Sequence, residues 1–269
     1  MARNALEKPS EPLPRNYGIG NEAGEMRNSE RREPLQKDTY LKVVYSEERR
    51  PTGPYDGQLA QYLLQNVYGE TGSLLDIGCG RGDMLRGFSD AGFEVKGVDI
   101  SPEVSAYCDP IEARVADLEH DPLPYPSGTF DFVFSKSVVE HMRNPMPMLE
   151  SSFDALKPGG KAIIMTPSWV HHASGPFFLD YTHVTPFTAP SLDDAMRFAG
   201  FEDVDVTHFR QLPFLWRHPS LFLAVWLFSK LPLPYEPMYR MSVKWPSGFN
   251  KLIRFSKEAM LLGVGRKPS

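Results

Sequence analysis

Two cysteines in 269 residues exclude a fold stapled by disulfides, and a chain of this length can bury a core without them. Cys79 and Cys108 fit a reducing compartment, so the expected location is the cytoplasm. Long apolar runs are missing too. The longest, Leu221–Phe228, has eight residues, against the roughly 20 that a bilayer-spanning helix needs. The first residues are charged and polar, which is not the pattern of a secretory signal. Large apolar side chains are scarce throughout residues 1–36, where Glu, Arg, Asn, Pro and Gly prevail, and this segment is expected to be disordered. Positive charge is not in excess either: the net charge is −5, which argues against a nucleic-acid partner.

What the chain does have is a glycine-rich turn at the end of an apolar run. Leu74-Leu75-Asp76-Ile77 is followed at once by Gly78-Cys79-Gly80-Arg81-Gly82-Asp83. The run reads as a buried parallel strand, and Met84, Leu85 and Phe88 read as the helix behind it. Glycine at every second position lets the backbone approach a ligand closely, because a Cβ there would clash or forbid the required φ. The next strand, residues 93–98, ends in Asp99, 23 positions after Asp76. That is the spacing at which a second strand delivers a carboxylate to a ribose diol, and charge-assisted hydrogen bonds to two hydroxyls are strong ones.

Two ligand classes compete for such a turn. Dinucleotide sites favour G-x-G-x-x-G with a pyrophosphate at the helix N-terminus. Here Asp83 stands where the third glycine would lie, and Asp76 precedes the turn. A carboxylate beside a diphosphate is repulsive, whereas beside an ammonium and a sulfonium it is favourable. The turn suits S-adenosylmethionine better than a nicotinamide dinucleotide.

Further segments follow in order: Ala116-Asp117-Leu118, Leu123–Phe134, Val139-Glu140-His141 and Leu156-Lys157-Pro158-Gly159-Gly160. With these the chain resembles class I S-adenosylmethionine-dependent methyltransferases, the broad group that includes ubiquinone/menaquinone-type and sugar methyltransferases. The resemblance runs through residues 71–209, with a last strand near 259–267. It implies an α/β fold: a doubly wound, mostly parallel, Rossmann-like sheet of seven strands with the last one reversed. Ligands then sit at the carboxyl ends of the strands.

The domain reading is a segment 1–36, a core 37–209 with an N-terminal helical cap, an insertion 210–257, and a last strand and tail 258–269. Strands are expected near 73–77, 93–98, 112–115, 130–135, 161–166, 202–209 and 258–266. Helices are expected near 83–91, 102–107, 146–156 and 191–199.

The resemblance also assigns the cofactor site. Gly78, Gly80 and Gly82 cradle the methionyl part, with Asp76 and Cys79 also in the cofactor site, Asp99 with Ile100 takes the ribose, and Asp117 accepts from the adenine amino group while Leu118 covers a ring face. Ser135 and Lys136 follow the fourth strand, beside the place of the transferable methyl. Methyl transfer to a hydroxyl is an in-line displacement from a good leaving group, so the protein's tasks are alignment and removal of the acceptor's proton. Histidine titrates in the right range for the second. His183 is the expected base, with Asp180 to orient it and His141 as a further candidate; the competing reading is that these residues only fasten loops. His171, His172, Asp180 and His183 imitate no known metal site in their spacing, and no metal is expected.

The insertion carries the charge asymmetry of the chain. Residues 210–257 hold eight Lys or Arg against one acid, Glu236, a net of +7 that leaves −12 for the rest. Together with the run Leu221–Phe228 this leaves three readings: a buried lid helix, a helix resting on an anionic membrane surface, or a subunit interface. The expected function is methyl transfer from S-adenosylmethionine to a small-molecule acceptor, at a hydroxyl oxygen of a lipid-linked, isoprenoid or glycan substrate. Alternatives are C-methylation of a quinone-type ring, a non-catalytic S-adenosylmethionine-binding protein, and a nicotinamide oxidoreductase. No Asn/Asp-Pro-Pro-aromatic motif follows the fourth strand, where Ser135-Lys136-Ser137-Val138 stands, so a nucleic-acid base is not the expected acceptor.

Overall fold

The computed structural model describes residues 41, 51–173, 177–236 and 246–269. The segment 1–36, expected to be disordered, lies outside them. Seven strands form one sheet: β1 (Ser73–Ile77), β2 (Glu94–Asp99), β3 (Ala113–Val115), β4 (Phe130–Lys136), β5 (Leu156–Pro167), β6 (Glu202–Phe209) and β7 (Met260–Arg266). Their order is β3-β2-β1-β4-β5-β7-β6. Neighbours from β3 to β5 pair in parallel, while β7 runs antiparallel to both β5 and β6. This is the expected doubly wound sheet with the last strand reversed.

Alternation along the central strands builds the two faces of the core. Leu75, Val133 and Ile164 point to one face, where Leu192, Met196 and Met148 cover them. Leu74, Phe134 and Ile163 point to the other, against Leu59, Leu63 and Phe88. Both faces are apolar because helices cover both, as a parallel sheet requires. The helices are α1 (Tyr55–Leu63), α2 (Asp83–Asp90), α3 (Val104–Cys108), α4 (Met146–Ala155), α5 (Trp169–His172), α6 (Ala189–Phe198), α7 (Pro213–Arg217), α8 (Phe222–Ser229) and α9 (Ser247–Lys257). Gly87 marks where α2 meets α1: a Cβ there would stand 2.9 Å from the Asp56 carbonyl oxygen.

Apart from the start of the fifth strand, the expected element ends fall within two residues of the observed ones, and two of the differences have a local cause. The fifth strand starts at Leu156, not near 161, because Leu156 both ends α4 and pairs with Phe130 before a register shift. The last strand starts at Met260; Glu258 before it is buried and paired with Arg254. Between β6 and β7 the insertion folds into α7, α8 and α9 around Leu212, Leu215 and Val225.

Only Val225 of α8 is buried. Leu221, Phe222, Leu223, Trp226 and Leu227 are 40–64% exposed, so α8 is not the buried lid helix of the first reading. No described helix is long and apolar enough to cross a membrane.

Candidate active site

The turn after β1 is built as its glycines suggest. Gly78, Gly80 and Gly82 have φ of +76°, +53° and +77°, the left-handed region that L side chains rarely adopt. The crowding differs between them. A Cβ on Gly78 would lie 2.2 Å from Val138 Cγ2, whereas one on Gly80 would meet, among the described residues, only Leu41 Cδ2 at 3.7 Å. Gly78 is thus pressed against the turn after β4, and Gly80 faces an open cradle. The amides of Gly78 and Cys79 donate to the Val98 carbonyl at 2.7 and 3.2 Å, fastening the turn to β2.

Asp99 ends β2 and accepts from the Gly80 amide at 2.9 Å through Oδ2 and from the Ser101 amide at 2.9 Å through Oδ1. Burial raises its pKa, and these amide bonds pull against that. An ionised carboxylate offers about four lone-pair positions, so both oxygens retain acceptor capacity for a diol.

Asp76 is 2% exposed, and its Oδ2 has no hydrogen-bond partner among the described residues. Burial first, then the charges of Cys108 and Asp99, push its carboxyl well above the usual range. An orphaned buried oxygen behind an open glycine cradle fits a cationic ligand.

The other expected cofactor residues ring the same edge. Ile100 is 40% exposed beside Asp99. Asp117 accepts from the Glu119 amide at 3.3 Å and lies 3.2 Å from His120 Nδ1, and Leu118 is buried below it. Ser135 and Lys136 end β4, with Ser135 paired to Ile77 and buried. The Lys136 ammonium lies 5.7 Å from the centre of the Tyr55 ring. Burial also raises the carboxyl of Asp56 on α1, which feels Lys136, Asp83 and Arg81; Tyr55 and Asp56 were not singled out in the sequence. Cys79 turns its thiol away into a contact with Cys108, Sγ to Sγ 4.0 Å, so only its backbone remains for the cradle.

The histidines meet beyond the turn after β4. His141 and His183 stand ring to ring at 4.7 Å and 71°. His183 Nδ1 is 2.8 Å from the Phe177 carbonyl oxygen, and a carbonyl only accepts. Nδ1 therefore carries the proton, which leaves Nε2 as the basic nitrogen.

Asp180 does not take the place expected for it behind the His183 ring. Its Oδ1 accepts from the Thr182 hydroxyl at 2.6 Å, and Thr182 Oγ1 lies 2.8 Å from His141 Nδ1. Since that hydroxyl spends its proton on the carboxylate, His141 Nδ1–H donates to it, and Nε2 is again the basic nitrogen. Burial would raise the Asp180 carboxyl, but the Thr182 hydrogen bonds and the nearby imidazoles hold it below the usual range. The orienting carboxylate serves His141 through Thr182, while it touches His183 through the main chain, His183 N–H to Asp180 O at 3.2 Å.

Glu140 anchors this corner. Its carbonyl accepts from the Val184 and Thr185 amides, and its Oε2 accepts from Thr166 Oγ1 at 2.9 Å. Burial pushes its carboxyl up to about 7 despite the Thr166 bond. Among the described residues, Glu140, His141 and His183 bring possible metal-ligand atoms within 4.8 Å of one another; this is not the His171, His172, Asp180 and His183 set considered from the sequence.

Sheet order, glycine cradle and strand-end carboxylates together define the class I methyltransferase fold. The match to the Methyltransferase domain family covers residues 46–206, more than half of the chain, and the chain belongs to that family. A Mycolicibacterium smegmatis protein named as an S-adenosylmethionine-dependent methyltransferase is 29% identical over 136 residues, 49% of this chain and 52% of that protein. The ubiquinone biosynthesis O-methyltransferase of Ruegeria pomeroyi is 37% identical over 100 residues, 35% of this chain and 40% of that one. The chain thus spans about half the length of the curated relatives it matches. Among solved structures, the methyltransferase bound to the Haloferax volcanii Trm112 activator superposes with a TM-score of 0.63 at 20% identity, over 87% of this chain and 98% of that one, a likeness of fold. The cofactor is S-adenosylmethionine, and the cradle, Asp76 and Asp99 fit it.

Proposed function

We propose that the chain transfers a methyl group from S-adenosylmethionine to a hydroxyl oxygen of a small-molecule acceptor, of lipid-linked, isoprenoid or glycan type. When bound, the cofactor supplies an electrophilic methyl on a sulfonium leaving group. The protein's own part is to hold the acceptor in line and to take its proton. The observation that carries this reading is the pair of imidazoles, each with Nδ1 engaged and Nε2 basic, at the carboxyl edge of the sheet. An anionic Asp180 behind Thr182 stabilises the imidazolium that His141 becomes on accepting a proton.

The exposed apolar residues of α8 and the basic excess of 210–257 support an acceptor met at a membrane surface, with the protein cytoplasmic and peripheral. Mass spectrometry of a reaction with labelled S-adenosylmethionine, run against polyprenyl phenols and lipid-linked glycans, tests the reading. A labelled methyl ether supports it. A methylated ring carbon, or no transfer to any acceptor despite tight S-adenosylhomocysteine binding, rejects it.

A further inference from the structure

Basic side chains gather at the carboxyl ends of β5 and β6, where no carboxylate among the described residues answers them. Pro167 at the end of β5 and Phe209 at the end of β6 both pair with Met260, which brings residues 168–172 and 208–210 together. The rings of His171 and His208 meet at 4.7 Å and 61°. Arg210 follows, half-buried, with Nε donating to the Ser256 carbonyl at 3.1 Å and its guanidinium carbon 5.1 Å from the Phe222 ring centre. Lys230 caps α8, its ammonium 5.2 Å from the Trp226 ring.

Burial, then the positive charges of His208, Arg210, His172 and Lys230, holds the His171 imidazole down at about 4. The carboxylate next to this group is Glu258, which accepts from Arg254 at 2.7 Å and lies 3.8 Å from His172; its charge is already matched. Among the described residues, no carboxylate lies within ion-pair distance of His171, His208, Arg210 or Lys230.

A solvated basic face is the plain alternative, but such faces spread their charges. Here two imidazoles from different elements are in ring contact beside a half-buried arginine; they are uncharged while the place is empty, and an anion bound there would draw protons onto them. The donors suit a tetrahedral oxyanion with three free oxygens better than a carboxylate with two: a guanidinium fork, two imidazoles and an ammonium. Phe222 and Trp226 lie against the same cations, so the anion's substituent meets apolar surface. We propose that His171, His208, Arg210 and Lys230 form a phosphate-binding site that holds a phosphoryl group of the acceptor; this rests on the methyltransferase reading above. A lipid headgroup and a soluble phosphate ester share that chemistry.

The test uses the full chain saturated with S-adenosylhomocysteine. sn-Glycerol 3-phosphate is titrated by calorimetry into the wild type, Arg210→Gln and the His171→Gln/His208→Gln double variant. Binding to the wild type that falls about tenfold in each variant is expected, as for loss of a charge-assisted bond, with S-adenosylhomocysteine affinity unchanged. Lys230→Gln, an exposed change that spares the Ser256 bond, gives a smaller loss and serves if either variant fails to fold.

Co-sedimentation with phosphatidylglycerol vesicles against phosphatidylcholine vesicles assigns the source. Sedimentation that needs phosphatidylglycerol and falls in the variants supports a lipid headgroup, and glycerol phosphate binding without it supports a soluble ester. Equal affinity in wild type and variants, or no binding of either probe, overturns the site. Failure of the wild type to bind S-adenosylhomocysteine would instead count against the methyltransferase reading, and the phosphate arms are then read on the unsaturated protein.

Discussion

The Gly80 amide and the Asp99 carboxylate are joined by a hydrogen bond of 2.9 Å, which ties the cradle after β1 to the tip of β2. One side chain thus shapes the turn and presents acceptor oxygens beside it. Asp99→Ala removes both roles. Charge-assisted bonds contribute about 1.5–3 kcal/mol each, so S-adenosylhomocysteine should bind about 100-fold more weakly in calorimetric titration. Asp99→Asn keeps the Gly80 contact through its carbonyl oxygen and should lose less. Equal affinity in wild type and Asp99→Ala would remove Asp99 from the site.

Two alanine substitutions separate the scaffold from the cradle. In Gly78→Ala the new Cβ runs into Val138 at 2.2 Å as well as demanding a left-handed residue, so a markedly lowered melting temperature is expected. Gly80→Ala makes only an ordinary contact with Leu41 at 3.7 Å among the described residues, and its folding cost is the conformational strain of about 1–2 kcal/mol. If the cradle holds the cofactor as proposed, its methyl group enters the volume that the cofactor needs. Thermal melts paired with S-adenosylhomocysteine titration should therefore give a folded, poorly binding Gly80→Ala. Tight binding by that variant would move the ligand elsewhere.

The cradle was legible because its signals are local. An apolar run, a glycine at each left-handed position and an acid one strand later are adjacent or evenly spaced in sequence, and each has a single structural use. The histidine corner was legible only in its residue types. Asp180 and His183 stand three apart, but the partner of the His183 ring is the main-chain oxygen of Phe177, which side-chain pattern does not record. Thr182 carried a weak signal: its amide and hydroxyl both donate to Asp180 Oδ1 in an Asx-type turn. That Thr182 then reaches back 41 positions to His141 is set by packing alone. The same holds for α8, apolar on all sides, where only its seat over Leu212 and Leu215 decides that Val225 is inside.

The relay behind His141 can be cut without touching either imidazole. Thr182→Val keeps the shape and removes the hydroxyl, so the Asp180 charge no longer supports the ring. Turnover should fall about tenfold, while His141→Ala or His183→Ala should fall by the 10²–10⁴ typical of a lost general base, whichever ring faces the acceptor. S-adenosylhomocysteine affinity should stay nearly intact in all three. If affinity falls together with turnover in both histidine variants, the corner is structural and the base lies elsewhere.

Glu140 gives the corner a pH signature in stability, apart from any turnover. Its carboxyl is pushed from 4.5 up to about 7 by burial, so between those values the folded state holds a proton that the unfolded chain has released. Stability from this group is complete below about pH 4.5, falls as pH rises, and has been lost once pH passes about 7. A shift of this size corresponds to about 3 kcal/mol at about 1.4 kcal/mol per pH unit. Glu140→Gln keeps an acceptor for the Thr166 hydroxyl and has no proton to lose. Urea denaturation from pH 5 to 8 should therefore show the wild type losing stability relative to Glu140→Gln across that window, with the two curves parallel above it. Parallel curves throughout would mean that the carboxyl is ionised at its ordinary pKa inside the fold, with its charge balanced by a partner at Oε1.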